Sequence, residues 1–123
     1  MKKILVVDDE PEILSLIKLA LEQARYEVVT CDDGKAAWDL LVSAKPDLLI
    51  LDVMLPGLDG YTIQQKISQE PSTKDMPIIV LTSMEPTKTL FRKFPQVTAF
   101  MTKPFKIDEL LENVAASLRG GRP

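Results

Sequence analysis

The chain contains no histidine. That single absence removes imidazole general bases, Ser-His-Asp triads and histidine metal ligands together. Cysteine is nearly absent as well: Cys31 stands alone, so no internal disulfide can form and a cytosolic, cytoplasmic setting is expected. Cys31 itself reads as a small apolar packing residue. Long hydrophobic runs are missing. Basic Met1-Lys2-Lys3 leads into Ile4-Leu5-Val6-Val7, but that run stops at Asp8, too short for a signal-peptide core or a membrane span. Positive charge is not in excess: 15 Lys and Arg stand against 18 Asp and Glu, a net charge of −3. Direct binding to nucleic acid or to an anionic membrane is therefore not expected of this domain. Without histidine, and with one cysteine, any metal must be held mainly by oxygen, which points to magnesium, calcium or manganese.

What is present is one ordinary globular domain. The 123 residues are 46% hydrophobic and 27% charged, outside the disordered and fibrous classes. A chain of this length buries roughly two thirds of its unfolded surface, enough for one core. Ile4 to Val7, Leu48 to Leu51 and Ile78 to Leu81 are continuous apolar runs without alternation, ending at Asp8, Asp52 and Thr82. Such runs predict strands covered on both faces, hence a parallel sheet. Glu27 to Cys31 and Val97 to Met101 supply two more strands. Between them, helices are predicted over Pro11 to Ala24 (Ile13, Leu14, Ile17, Leu21 and Ala24 inward), Asp33 to Ser43 (Ala37, Leu40 and Leu41 inward) and Asp59 to Gln69 (Ile63 and Ile67 inward). The last helix places Ile107, Leu110, Leu111, Val114, Ala115 and Leu118 on one stripe, with Arg119 in its last turn and Gly120-Gly121 as its stop. A further short helix is expected within Met84 to Phe94. Five β–α units of this kind predict an α/β, doubly wound parallel sheet with helices on both faces and right-handed crossovers.

In open parallel sheets, ligands bind beyond the carboxyl ends of the strands. The residues found there are Asp8, Asp9, Asp52, Thr82 and Lys103. Taken singly, each has a bland reading: Asp9 as a helix cap, Asp52 as a solvated strand end, Thr82 as a β-branched strand residue, Lys103 as a surface lysine. Together they bring three carboxylates, a hydroxyl and an ammonium to one rim. Crowded, partly buried carboxylates repel one another unless a cation joins them. Magnesium suits such a place, because it takes few protein carboxylates and keeps sites for water or a phosphoryl oxygen.

Asp8-Asp9, "LILDVMLPGLDG" carrying Asp52, "IIVLTS" carrying Thr82 and "TKPF" carrying Lys103 resemble, in order and over essentially the whole chain, the receiver domains of two-component response regulators. The resemblance implies a five-stranded sheet of order 2-1-3-4-5. It implies that Asp52 is the phosphoacceptor, accepting a phosphoryl group from a sensor histidine kinase or phosphotransfer protein in a magnesium-dependent reaction. Asp9 and Asp52 would then bind magnesium directly, Asp8 through water, and Met54 through its backbone carbonyl. Lys103 would pair with the carboxylate and then with the phosphoryl group. Thr82 and Phe100 would form the conformational switch, and Lys103-Pro104 would be a cis peptide. The receiver is expected to span residues 1–119, with 120–123 a tail or the start of a linker. The output domain or target is left open, as is a homodimer. The chain departs from the family pattern at Pro95-Gln96-Val97-Thr98, where a Gly-Ala-Asp-like turn is usual.

Met54 and Met84, two residues beyond Asp52 and Thr82, offer no side chain able to orient an attacking water, which predicts a long-lived acyl phosphate. Three other classes fit the residues less well. An aspartate-nucleophile phosphatase would want a second Asp at position 54. A non-phosphorylated interaction module would be expected to have lost Asp52, Asp9 or Lys103. A flavodoxin-like flavin protein is disfavoured by the acidic, glycine-free loop Asp8-Asp9-Glu10-Pro11.

Overall fold

The structure is a computed structural model that describes residues 1–53, 60–82 and 96–119. Five strands form its centre: β1 (Lys3–Val7), β2 (Glu27–Cys31), β3 (Leu48–Asp52), β4 (Ile78–Thr82) and β5 (Val97–Thr102). All pairings are parallel, and the order across the sheet is β2-β1-β3-β4-β5. The continuous apolar runs are the central strands: every residue of β3 and β4 is buried, as are the last four of β1.

Successive strand residues face opposite sides, so each run feeds two cores. Leu5, Val7, Leu49, Leu51 and Val80 join Ala37 and Leu41 of α2 (Ala37–Ala44) and Ile63 and Ile67 of α3 (Gly60–Gln69). On the other side, Ile4, Val6, Leu48, Ile50 and Leu81 join Ile17 and Leu21 of α1 (Pro11–Gln23) and Leu110 and Val114 of α4 (Ile107–Leu118). This is the expected doubly wound arrangement, with two helices on each face among the described residues.

Helix ends differ from the sequence periodicity for local reasons. α2 starts at Ala37 rather than Asp33. The Asp33 carboxylate accepts the Lys35 N–H at 2.9 Å, and its carbonyl accepts the Ala36 N–H at 3.1 Å. Such a side-chain-supported turn competes with helix. α1 ends at Gln23, and Ala24, expected inward, is exposed at the C-cap, because the chain turns away through Arg25 at φ 71°. Arg119 lies at the C-cap of α4 rather than within its last turn. The short helix expected at residues 84–94, position 59 and the 120–123 tail lie outside the described residues.

The departure at Gln96 has a structural role. Its buried side-chain amide donates to the carbonyls of Thr73 and Met76 at 2.7 and 2.9 Å, and the Gln96 backbone carbonyl accepts the Ile78 N–H at 2.8 Å. One glutamine thus ties the entrance of β4 to that of β5, beside the register irregularity at Ile78/Ile79.

Burial predicts a sharp contrast along α1. Leu21→Ala should lower unfolding free energy by about 2–5 kcal/mol through lost transfer energy and a cavity, because Leu21 is fully buried. Leu19→Ala, at a position 57% exposed, should stay within about 0.5 kcal/mol of the parent. Urea denaturation of both variants measures the difference, and equal losses would contradict the described packing of α1.

Candidate functional site

The order of the sheet reverses direction between β1 and β3, the place where a doubly wound sheet opens a crevice. Asp8 follows β1 and Asp52 ends β3. Both are side by side at this point, at 0% and 5% exposure. The Asp8 N–H donates to the Cys31 carbonyl at 3.0 Å, extending the β1–β2 ladder by one residue. Asp8 Oδ1 then accepts the Glu10 N–H at 2.9 Å, which turns the chain into α1. Beyond Asp52, the Val53 N–H donates to the Leu81 carbonyl at 3.2 Å. The carboxylates are therefore mounted on ladder positions, not on free loops.

Lys103 reaches the same point from β5. Its N–H donates to the Thr82 carbonyl at 3.0 Å, and its peptide bond to Pro104 is cis, as expected. By strand alternation it follows Met101 onto the α1/α4 side of the sheet, the side to which Asp8 and Asp52 also belong by parity. Lys103 Nζ donates to Glu10 Oε1 at 2.7 Å and to Asp52 Oδ2 at 3.0 Å. It also forms an ion pair with Asp8 Oδ2 at 2.7 Å. Burial alone would lower the lysine's pKa; the contacts with Asp8, Glu10 and Asp52 outweigh it and hold the pKa well above the ordinary lysine range. A raised lysine pKa stabilises the fold below the unfolded-state value and loses that effect only as pH climbs through the folded one.

Asp8, Asp9, Glu10 and Asp52 can each place one oxygen within 4.8 Å of the others'. Asp9 and Glu10 are exposed, Asp8 and Asp52 buried. Among the described residues, one ammonium stands against four carboxylates. An oxygen-only, acid-rich donor set of this kind fits a hard divalent cation.

Thr82, fully buried, ends β4. Its alternation from Val80 puts it on the α2/α3 side, and Phe100, in register with Val80, packs against that same core. Thr82 and Phe100 therefore share a face of adjacent strands. Met54 and Met84 lie outside the described residues. Cys31 is buried, as expected, and its Sγ donates to the Asp33 carbonyl at 3.1 Å; burial, ahead of the neighbouring aspartates, pushes its thiol pKa up.

Two features of the site were not singled out in the sequence. Glu10 is a direct partner of Lys103, and the available signal was a third consecutive acid just before Pro11 at the start of a helix. The second is an apolar wall. Ile13 and Leu16 of α1, with Pro104 and Phe105, line a cleft of about 590 Å³ whose polar end is Asp9, Glu10, Asp52 and Lys103.

Known proteins resemble this chain in sequence and in fold. The chain is 38% identical over 120 residues to the DNA-binding dual master transcriptional regulator RpaA of a Synechocystis strain, covering 97% of this chain and 50% of that one. It is 39% identical over 125 residues to the alkaline phosphatase synthesis transcriptional regulatory protein PhoP of Bacillus subtilis, covering 96% and 49%. The chain thus spans about half the length of the curated relatives it matches. Among solved structures, the chemotaxis response regulator CheY4 of Vibrio cholerae superposes with a TM-score of 0.87 at 29% identity, over 95% of this chain and 98% of that one. The response regulator TrrA of Thermotoga maritima, solved in complex with Mg(2+)-BeF, gives a TM-score of 0.79 at 36% identity, over 95% and 99%. The sequence model described as response regulator receiver domain matches residues 4–115, and with the strand order and the acid–lysine rim already in place, the chain belongs to the receiver-domain family of two-component response regulators.

Proposed function

We infer that Asp52 is the phosphoacceptor of this receiver, with Lys103, Asp8, Asp9, Thr82 and Phe100 acting around it. The observation that carries this reading is the Lys103 ammonium 3.0 Å from Asp52 at the strand-order reversal, inside an oxygen-only acidic cluster. An Asp52 oxygen attacks phosphorus, the O–P bond forms, and the bond from phosphorus to the donor's imidazole nitrogen breaks. The electron pair leaves with the imidazole, which takes up a proton from water. The donor is the phosphohistidine of a sensor kinase or phosphotransfer protein, since this chain supplies no histidine of its own. Magnesium, held by Asp9 and Asp52 with Asp8 behind them and the Met54 carbonyl as the expected further ligand, would supply charge neutralisation for the phosphoryl oxygens.

The residues divide the remaining work. Lys103 orients Asp52 before transfer and can hydrogen-bond a phosphoryl oxygen after it. Thr82 offers a hydroxyl one residue beyond the register partner of Asp52, Leu81. A new phosphoryl acceptor there would draw that hydroxyl, and Phe100, sharing its face, would repack with it. The receiver spans 1–119, and what it controls, whether an attached output domain, a separate target or a second copy of itself, lies beyond this domain. The setting is cytoplasmic, and among the described residues no helix is long and apolar enough to cross a membrane. The phosphatase alternative lacks an acid at position 54, and the interaction-module alternative gains nothing from an intact Asp52–Lys103 pair.

Intact-mass measurement after incubation with a small phosphodonor tests the assignment. A gain of about 80 Da is expected only with a divalent cation, and Asp52→Asn should abolish it. Unchanged labelling of that variant would end the assignment.

Asp8 is fully buried with one oxygen committed to the Glu10 N–H, whereas Asp9 is exposed. Asp9→Ala should therefore weaken magnesium binding more than Asp8→Ala, as a direct ligand outweighs one acting through water. A magnesium titration giving equal losses would speak against these roles.

Lys103→Met leaves Asp8 and Asp52 facing each other without their cation. In metal-free buffer at neutral pH it should lose about 3–5 kcal/mol of stability, and added magnesium should restore more in the variant than in the parent. The parent's advantage should persist through neutrality and fade only above about pH 10.4, the ordinary lysine value. Urea denaturation with chelator, with magnesium and across pH reads all three.

A further inference from the structure

The Lys103 ammonium has three donor hydrogens. Glu10 and Asp52 take two of them at 2.7 and 3.0 Å, and Asp8 crowds the remaining side at 2.7 Å. A phosphoryl oxygen that is to bond this lysine must therefore displace a carboxylate. The three are not equally displaceable. Asp8 and Asp52 are buried at strand ends, with side-chain exposures of 0% and 7%, while the Glu10 side chain is 57% exposed. A carboxylate already at the water's edge rehydrates at little cost, whereas a buried one deprived of its cation does not. The Glu10 backbone is pinned as well. Its N–H donates to Asp8 Oδ1 at 2.9 Å, and its carbonyl accepts the Leu14 N–H at 3.0 Å. Release of Lys103 by Glu10 thus needs a side-chain rotation and no shift of α1.

We propose that Glu10 restrains Lys103 ahead of phosphoryl transfer: its carboxylate holds the Lys103 donor hydrogen that the incoming phosphoryl oxygen takes, and rotates into water when the group arrives. The proposal rests on the phosphoacceptor reading of Asp52. Glu10 acts through Lys103, keeping the ammonium drawn toward the α1 side and covered until a stronger acceptor competes for it. Removing that hold frees a donor hydrogen in advance and makes capture of the phosphoryl group faster.

Two variants separate reach from charge. Glu10→Gln removes the charge, while Glu10→Asp keeps the charge but shortens the side chain by one methylene, out of reach of a 2.7 Å contact. At magnesium concentrations saturating for each protein, both should be phosphorylated several-fold faster than the parent by a small phosphodonor, read by intact mass over time. In metal-free protein, both should also show several-fold faster acetylation of Lys103 by acetic anhydride, read by peptide mass. Acceleration in Glu10→Gln alone would overturn the proposal, because Glu10 would then act by bulk repulsion of the donor. Unchanged Lys103 acetylation in both variants would overturn it too, because no hold on the ammonium would exist. A parent chain that takes up no phosphoryl group at Asp52 would overturn the phosphoacceptor reading and with it any role of Glu10 in transfer; the acetylation rates tell that failure apart from a failed contact.

Discussion

Negative charge gathered at the carboxyl end of a parallel sheet is the constraint on which the site depends. Asp8 and Asp52 are buried on neighbouring strands, with Asp9 and Glu10 close by at the edge of the water. Like charges at such separations, partly withdrawn from solvent, are tolerated only with a compensating cation. Lys103 supplies that compensation within the chain. Among the described residues it is a single positive charge beside four acids, a donor set suited to a further cation.

The rest of the fold holds this imbalance in place. Asp8 is fixed by β2 through the Cys31 carbonyl, the end of β3 by the Leu81 carbonyl, and Lys103 by the Thr82 carbonyl. Each group is therefore anchored by the strand beside it, and the two apolar layers keep those strands in register. A lysine's long side chain would otherwise lose much conformational freedom to make three contacts. Here its backbone is already positioned, and burial strengthens the electrostatic attraction it meets. Transfer chemistry that relies on positioning and charge neutralisation needs little else from the protein.

The two faces of the sheet divide the labour. Asp8, Asp52 and Lys103 belong by alternation to the side of α1 and α4, where the apolar wall of Ile13, Leu16, Pro104 and Phe105 borders the cleft. Thr82 and Phe100 belong to the side of α2 and α3. Under the proposed phosphorylation of Asp52, a phosphoryl group at the rim would stand between them, beside the buried Thr82. Glu10 links the rim to α1, since its backbone starts the helix while its side chain accepts a hydrogen bond from Lys103.

Much of this was legible in the residues themselves. Unbroken apolar runs at Leu48 to Leu51 and Ile78 to Leu81 announce strands covered on both faces, because no exposed strand could carry them. The stripe on Ile107, Leu110 and Val114 likewise announces the last helix. The candidate carboxylates and Lys103 were readable because strand ends in such a sheet converge, and the family resemblance supplied the strand order and the roles. Local competition was harder to see: an Asp33 turn that delays α2 and a left-handed Arg25 that leaves Ala24 exposed both depend on hydrogen bonds and dihedrals that hydrophobic periodicity does not encode. Which acids share the Lys103 ammonium was likewise decided only in three dimensions. Residues 10 and 103 lie 93 apart in the chain, and their meeting depends on strand order, side-chain parity and the path from β1 into α1. The layers, the strands and the acidic rim follow from burial and periodicity, which are local properties of the chain; the partners follow from the fold, because a charge pairs with whatever is brought within reach.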